Sequence, residues 1–138
     1  VLRNQSNAAW NELRSQGKAT RLLETGTIAD FVHYAESQGS KNANWYFATI
    51  TKATHKALFI IREKSGPSFR DLLDNMQLAF LQSAEYVAIN ALRDGMASGL
   101  HYKEIFKLAK ARVEAFAGTV GVTPVVSHTQ KLKLSSAA

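Results

Sequence analysis

Two apolar stripes run down opposite sides of one stretch, and that restricts the folds open to this chain more than any other feature. Between residues 68 and 99, Phe69, Leu72, Leu73, Met76, Phe80, Val87 and Ala91 fall on one side of a 3.6-residue helix. From Leu78 onward a second stripe of Leu78, Leu81, Ile89, Leu92 and Met96 occupies the other side, with Glu85 the one charge within it. A helix that is apolar on two sides must be covered on two sides, by other helices of the chain or by a second copy. The expectation is an all-α fold: five or six helices around a long central helix at about 68–98, with the first-named face carrying the main core contact. Ser68 and Asp71, after Gly66 and Pro67, mark its start; Gly95 or Gly99 marks its end.

The rest of the chain reads as shorter helical segments. Ser6 caps a short helix anchored by Trp10 and Leu13 and ended by Gly17, and the mixed residues 17–26 read as a loop. Thr27 and Asp30 form a capping pattern ahead of Ile28, Phe31, Val32 and Ala35, which recur at helical spacing until Gly39 stops them. Ser40 is placed to cap a segment from Lys41, in which Trp45, Tyr46 and Phe47 cannot all face one core. A helix from Thr51 to about Lys64 would bury Ala53, Ala57, Leu58 and Ile61. The cleanest amphipathic pattern, at 102–117, carries Tyr102, Ile105, Phe106, Ala109, Val113 and Phe116 and is ended by Gly118. This organisation predicts one helical domain over 1–118 and an extended tail over 119–138, the tail holding Pro124 and the run Lys131-Leu132-Lys133-Leu134.

Composition narrows the function classes. The 138 residues include no cysteine, which removes disulfides, thiolate metal sites and thiol catalysis, and fits a cytoplasmic protein. No apolar run approaches the roughly 20 residues that span a bilayer. The opening Val1-Leu2-Arg3-Asn4 is neither a signal peptide nor an initiating methionine, which leaves room for a longer parent protein. Seventeen lysines and arginines against eleven acids give a net charge of +6, so polyanions are candidate partners.

A helix at 28–38, Gly39, Ser40 and a second helix have the spacing of a helix-turn-helix over about 28–50, with Ala35 small where the helices cross. Two residues depart from the pattern: Ser40 stands where an apolar residue is expected, and Trp45 is large for its place. An ordinary helical hairpin fits as well. If the second helix reads DNA, Lys41, Asn42, Asn44 and Thr49 reach outward, joined by Lys52 and Lys56. Asparagine can pair with adenine bidentately, and lysine can reach guanine or phosphate. Residues 41–64 hold five basic side chains and one acid. Lys103, Lys107 and Lys110 share a flank of the later helix, which reads as a solvated edge.

His33 with Glu36, and His101 with Glu104, each stand three apart in a His-Tyr-x-Glu run, but neither pair makes a converging donor set, so no metal or cofactor is expected. Gly-x-Ser-x-Gly, the Walker loop and Gly-x-Gly-x-x-Gly are absent, and no enzyme is expected. The run Gly39-Ser40-Lys41-Asn42-Ala43 resembles prophage-type regulators over five residues, too few to imply a family. The leading expectation is a small nucleic-acid-binding regulatory domain of bacterial or phage type, acting on double-stranded DNA as a homo-oligomer. The competing one is an interaction or oligomerisation domain that works through the second apolar stripe.

Overall fold

The computed structural model describes residues 8–61 and 73–125, and there the loop expected at 17–26 does not exist: a single helix of 30 residues, α1 (Ala8–Ser37), runs through it. Its inward positions are Trp10, Gly17, Thr20, Glu24, Thr27, Ile28, Phe31, Val32 and Ala35, so the middle of the buried stripe is small and polar. The apolar residues of that stretch point the other way, Leu22 being 75% exposed. Hydrogen bonds within the helix offset part of the cost of these inward polar groups. The Thr20 and Thr27 hydroxyls donate to the carbonyls of Gln16 and Leu23, and Glu24 accepts a 2.6 Å hydrogen bond from Arg21.

The other elements are α2 (Trp45–Leu58), β1 (Phe59–Ile61), α3 (Asn75–Ala97), α4 (Tyr102–Val120) and β2 (Thr123–Val125). All-α is therefore the class, with four helices among the described residues where five or six were expected, and the longest is α1 and not the helix of the double stripe. That helix, α3, starts at Asn75. Asp74 is its extended N-cap: its carboxylate accepts from the Gln77 N–H at 2.8 Å while the Gln77 side chain accepts from the Asp74 N–H at 3.1 Å. Ser68 and Asp71 lie outside the described residues, as do Phe69, Leu72 and the chain beyond Val125.

The expected inward face of α3 is also corrected. The second stripe is the more interior one, with Leu78, Leu81, Ile89 and Leu92 buried and Met96 half-buried; of the first, Leu73 and Ala91 are buried, Phe80 and Val87 are half-buried at the margin of the core, and Met76 is exposed. Glu85 is buried with the second stripe. Three further boundaries differ. The second helix begins at Trp45 after a non-helical turn, so Ser40 does not cap it; it ends at Leu58, and Phe59–Ile61 turns into a strand; α4 passes Gly118 and stops at Gly121, whose φ is 87°.

Two antiparallel hairpins, α1–α2 and α3–α4, lie side by side in the same sense. Trp10 Nε1 donates to the Leu73 carbonyl at one end, and the Tyr34 hydroxyl donates to the Leu100 carbonyl at 2.6 Å at the other, so α1 runs parallel to α3. Likewise α2 runs parallel to α4, Tyr46 meeting Tyr102 and Phe106 at the start and Ile50 and Thr54 facing Ala109 and Val113 further on. The strands follow from this, since each continues its helix: β1 and β2 pair in parallel with Phe59 opposite Thr123. Gln77 Nε2 fastens β2 to the start of α3 by donating to Thr123 Oγ1 and the Pro124 carbonyl. The expected extended tail thus begins with a segment built into the chain's own fold.

Both hairpin helices end in the same way. Ser40 N–H reaches the Ala35 carbonyl and Gly39 N–H the Glu36 carbonyl; Leu100 N–H reaches Gly95 and Gly99 N–H reaches Met96. These are two Schellman ends, each with a left-handed glycine, φ 99° at Gly39 and 70° at Gly99. Gly95 acts differently, continuing α3 while allowing α4 to approach. A Cβ there would meet Ile105 Cγ1 at 2.7 Å and Cγ2 at 2.9 Å. Arg112 joins Asp94 at 2.8 Å across the same pair.

Two outcomes test this packing. Gly95→Ala is expected to lower stability by about 1–3 kcal/mol in urea denaturation, overpacking outweighing the gain of roughly 1 kcal/mol in helix propensity; in an Ile105→Ala background the effect should shrink or reverse. Leu81→Ala should cost about 2–5 kcal/mol, whereas Met76→Ala should stay within about 0.5 kcal/mol.

Candidate nucleic-acid interface

Because α2 and α4 are parallel, their N-terminal ends open at the same end of the molecule, and the turns before them meet. Gln38 joins the turns. Its Nε2 donates to the Leu100 carbonyl at 3.4 Å, and its Oε1 accepts from the Tyr102 N–H at 2.7 Å, occupying one of the amides that begin α4. His101 occupies the next: as N-cap, its Nδ1 accepts from the Lys103 N–H at 3.2 Å while its ring lies 4.4 Å from that of Tyr102. The recurrence of His-Tyr-x-Glu therefore has no common role. Glu104 reaches Lys107 at 3.7 Å, and His33 and Glu36 form an exposed contact at 3.7 Å. Among the described residues no group of three or more histidines and acids could hold a metal.

Between the two turns lies a cleft of about 370 Å³ lined by Ser40, Lys41, Asn42, Trp45, Tyr46, Tyr102 and Lys103. Two lysines and no carboxylate line it, and it sits where two helix N-termini bring their partial positive charge. Its floor is aromatic. Tyr46 is buried against Phe31, Phe106 and Tyr102, with ring centroids 5.0, 5.2 and 6.4 Å away. Burial pushes the Tyr46 hydroxyl above its ordinary value of about 10, and the neighbouring Tyr102 adds to the rise. Trp45, one residue earlier, stays 58% exposed, so of the three successive aromatics one is buried, Phe47 is half-buried and Trp45 faces out.

No family model, curated protein or solved structure matches this chain. The site therefore has to be read from its own chemistry.

Six residues were expected to meet nucleic acid, and the fold separates them into two groups. Lys41 and Asn42 line the cleft, with Asn44 exposed beside it as the N-cap of α2, where its side chain makes no capping bond. Thr49, Lys52 and Lys56 continue along α2 on the face that begins with Trp45, spaced four, seven and eleven residues from it. Lys52 and Lys56 are exposed and Thr49 is half-buried. Nothing in the sequence placed Lys103 or Tyr102 in the cleft, or Gln38 between the turns beside it. Lys103, Lys107 and Lys110 are exposed, as expected of a solvated edge, and Lys110 borders the groove between α4 and α2 next to Ile50 and Ala53. The connection from residue 38 to 44 is longer than the three- or four-residue turn of a helix-turn-helix, and α1 continues far beyond a motif helix.

Gln38→Ala should cost about 0.5–1.5 kcal/mol in denaturant unfolding, since each of its exposed hydrogen bonds contributes modestly. Tyr46 makes a pH prediction. A raised folded pKa stabilises the protonated phenol, so that stability is complete below about pH 10 and is lost as pH rises through the folded value. The urea midpoint is expected to fall above pH 10, and to fall less steeply in Tyr46→Phe; identical slopes in the two proteins would contradict the assignment.

Proposed function

We propose that this chain is a small nucleic-acid-binding protein of regulatory type, whose interface is the cleft between the hairpin turns together with the outer face of α2. The observation that carries the proposal is the meeting of Lys41 and Lys103 in a cleft free of carboxylates, beside the exposed Trp45. Lysines separated by about sixty residues of sequence are brought to one site because α2 and α4 run parallel and begin at the same end of the molecule. Phosphate is the anion that clustered lysines neutralise on nucleic acid. Lys52 and Lys56 extend the positive surface along α2, and Lys110 lies in the groove beside it.

The rival reading, an oligomerisation surface made from the second stripe of α3, is deprived of that surface, because Leu81, Ile89 and Leu92 are enclosed by the chain's own helices. No helix among the described residues is long and apolar enough to cross a membrane.

The test is the salt dependence of binding. Each phosphate neutralised releases counterions, and log affinity falls against log salt by about 0.9 per contact on duplex DNA and about 0.7 on a single strand. Replacing Lys41, Lys52 and Lys56 together by alanine should therefore reduce the slope by roughly 2–3 units. Absence of binding to any nucleic acid at low salt would overturn the proposal.

A further inference from the structure

We infer that the cleft takes an unpaired nucleobase on the face of Trp45, so that single-stranded nucleic acid and not duplex is the preferred ligand; this rests on the nucleic-acid reading above. Three features carry it. Trp45 is a large aromatic left 58% exposed at the mouth of a cleft whose other walls supply lysines and short polar groups. Its ring is braced without being stacked: Tyr46 meets it at 5.2 Å and 69°, and Phe106 at 5.9 Å and 57°, so neither neighbour lies parallel to it. Such bracing holds the indole in place at little further loss of freedom on binding, which is what a stacking platform needs.

The cleft has the dimensions of one small group. At about 370 Å³ it falls toward the low end of small-ligand sites, the scale of a nucleotide unit and not of a double helix. Duplex DNA offers a protein the edges of its bases, and an indole at the head of α2 would find no face to stack on there. An unpaired strand offers a π-face at every base, with a phosphate within reach of Lys41 or Lys103 on either side. Asn42 and Ser40 add side-chain groups able to hydrogen-bond the base edges that pairing would otherwise occupy.

Tryptophan emission reports this directly, because the only other tryptophan, Trp10, is buried at the far end of α1. A twelve-residue thymidine strand and a duplex of the same length are titrated into the whole chain at low salt. The strand is expected to quench the emission and to bind more tightly than the duplex. Trp45→Ala, checked for native circular dichroism, should weaken strand binding by about 5- to 150-fold, the range for loss of one stacked base, and abolish the quench. Lys41→Ala/Lys103→Ala, with the indole intact, should keep the quench at saturation while lowering the salt slope by about 1.4. Strand binding that is unchanged in Trp45→Ala, or duplex binding that equals or exceeds it, overturns this inference and leaves the nucleic-acid reading standing. Failure of both ligands to bind overturns that reading as well.

Discussion

The side-chain amide of Gln38 holds the two hairpin turns at one level. By donating to Leu100 and accepting from Tyr102 it ties the end of α1 to the start of α4, while Tyr34 adds a second bond to the same carbonyl. These bonds contribute little free energy, each on the order of 1 kcal/mol, against the burial of Phe31, Leu81, Ile89, Leu92 and Ile105 that makes the hairpins cohere. Their importance is local: the close fit of buried side chains, such as Ile105 against Gly95, fixes how the helices lie along one another, and the amide keeps the two turns level at the exposed end. Had the hairpins packed in opposite senses, α2 and α4 would open at opposite ends, and Lys41 and Lys103 could not share a cleft.

The same geometry accounts for the distribution of polar groups. Glu24 and Glu85 are buried on α1 and α3, Glu24 beside Arg21, so these acids are withdrawn from the surface, while the lysines of α2 remain exposed. The turn side chains satisfy helix N-terminal amides of α4 through Gln38 and His101, which leaves the lysines of the cleft to act on a ligand instead of on the protein. A basic surface with a floor of packed aromatics is rigid where it must be, at Tyr46 and Phe106, and solvated where charge is needed.

Some of this was legible in the sequence because the signal was local. The period of Ile105, Ala109 and Val113 marked α4, Gly39 and Gly99 marked the helix ends, and the double stripe of α3 announced that it would be enclosed. The middle of α1 was not legible, since hydrophobic periodicity fails when the inward residues are Gly17, Thr20, Glu24 and Thr27 and leucines face water. The start of α3 was not legible either: the helix begins from the capping box of Asp74 and Gln77, a pattern passed over in favour of Ser68. Pairing of Phe59–Ile61 with Thr123–Val125 joins segments too distant for any local pattern to indicate. The same holds for the cleft: Lys41, Asn42 and Asn44 were visible as outward polar residues, but Lys103 joins them only through the parallel packing of the hairpins.

The most direct measurement is a map of backbone and indole amide resonances in a 15N-labelled sample as oligonucleotide is added. The account expects the largest changes at Lys41, Asn42, the Trp45 indole, Tyr102 and Lys103, with smaller ones running down α2 to Lys56 and none on the outer face of α1 around Leu22. Changes centred on that outer face of α1, or saturating changes that leave the Trp45 indole unmoved, would contradict it.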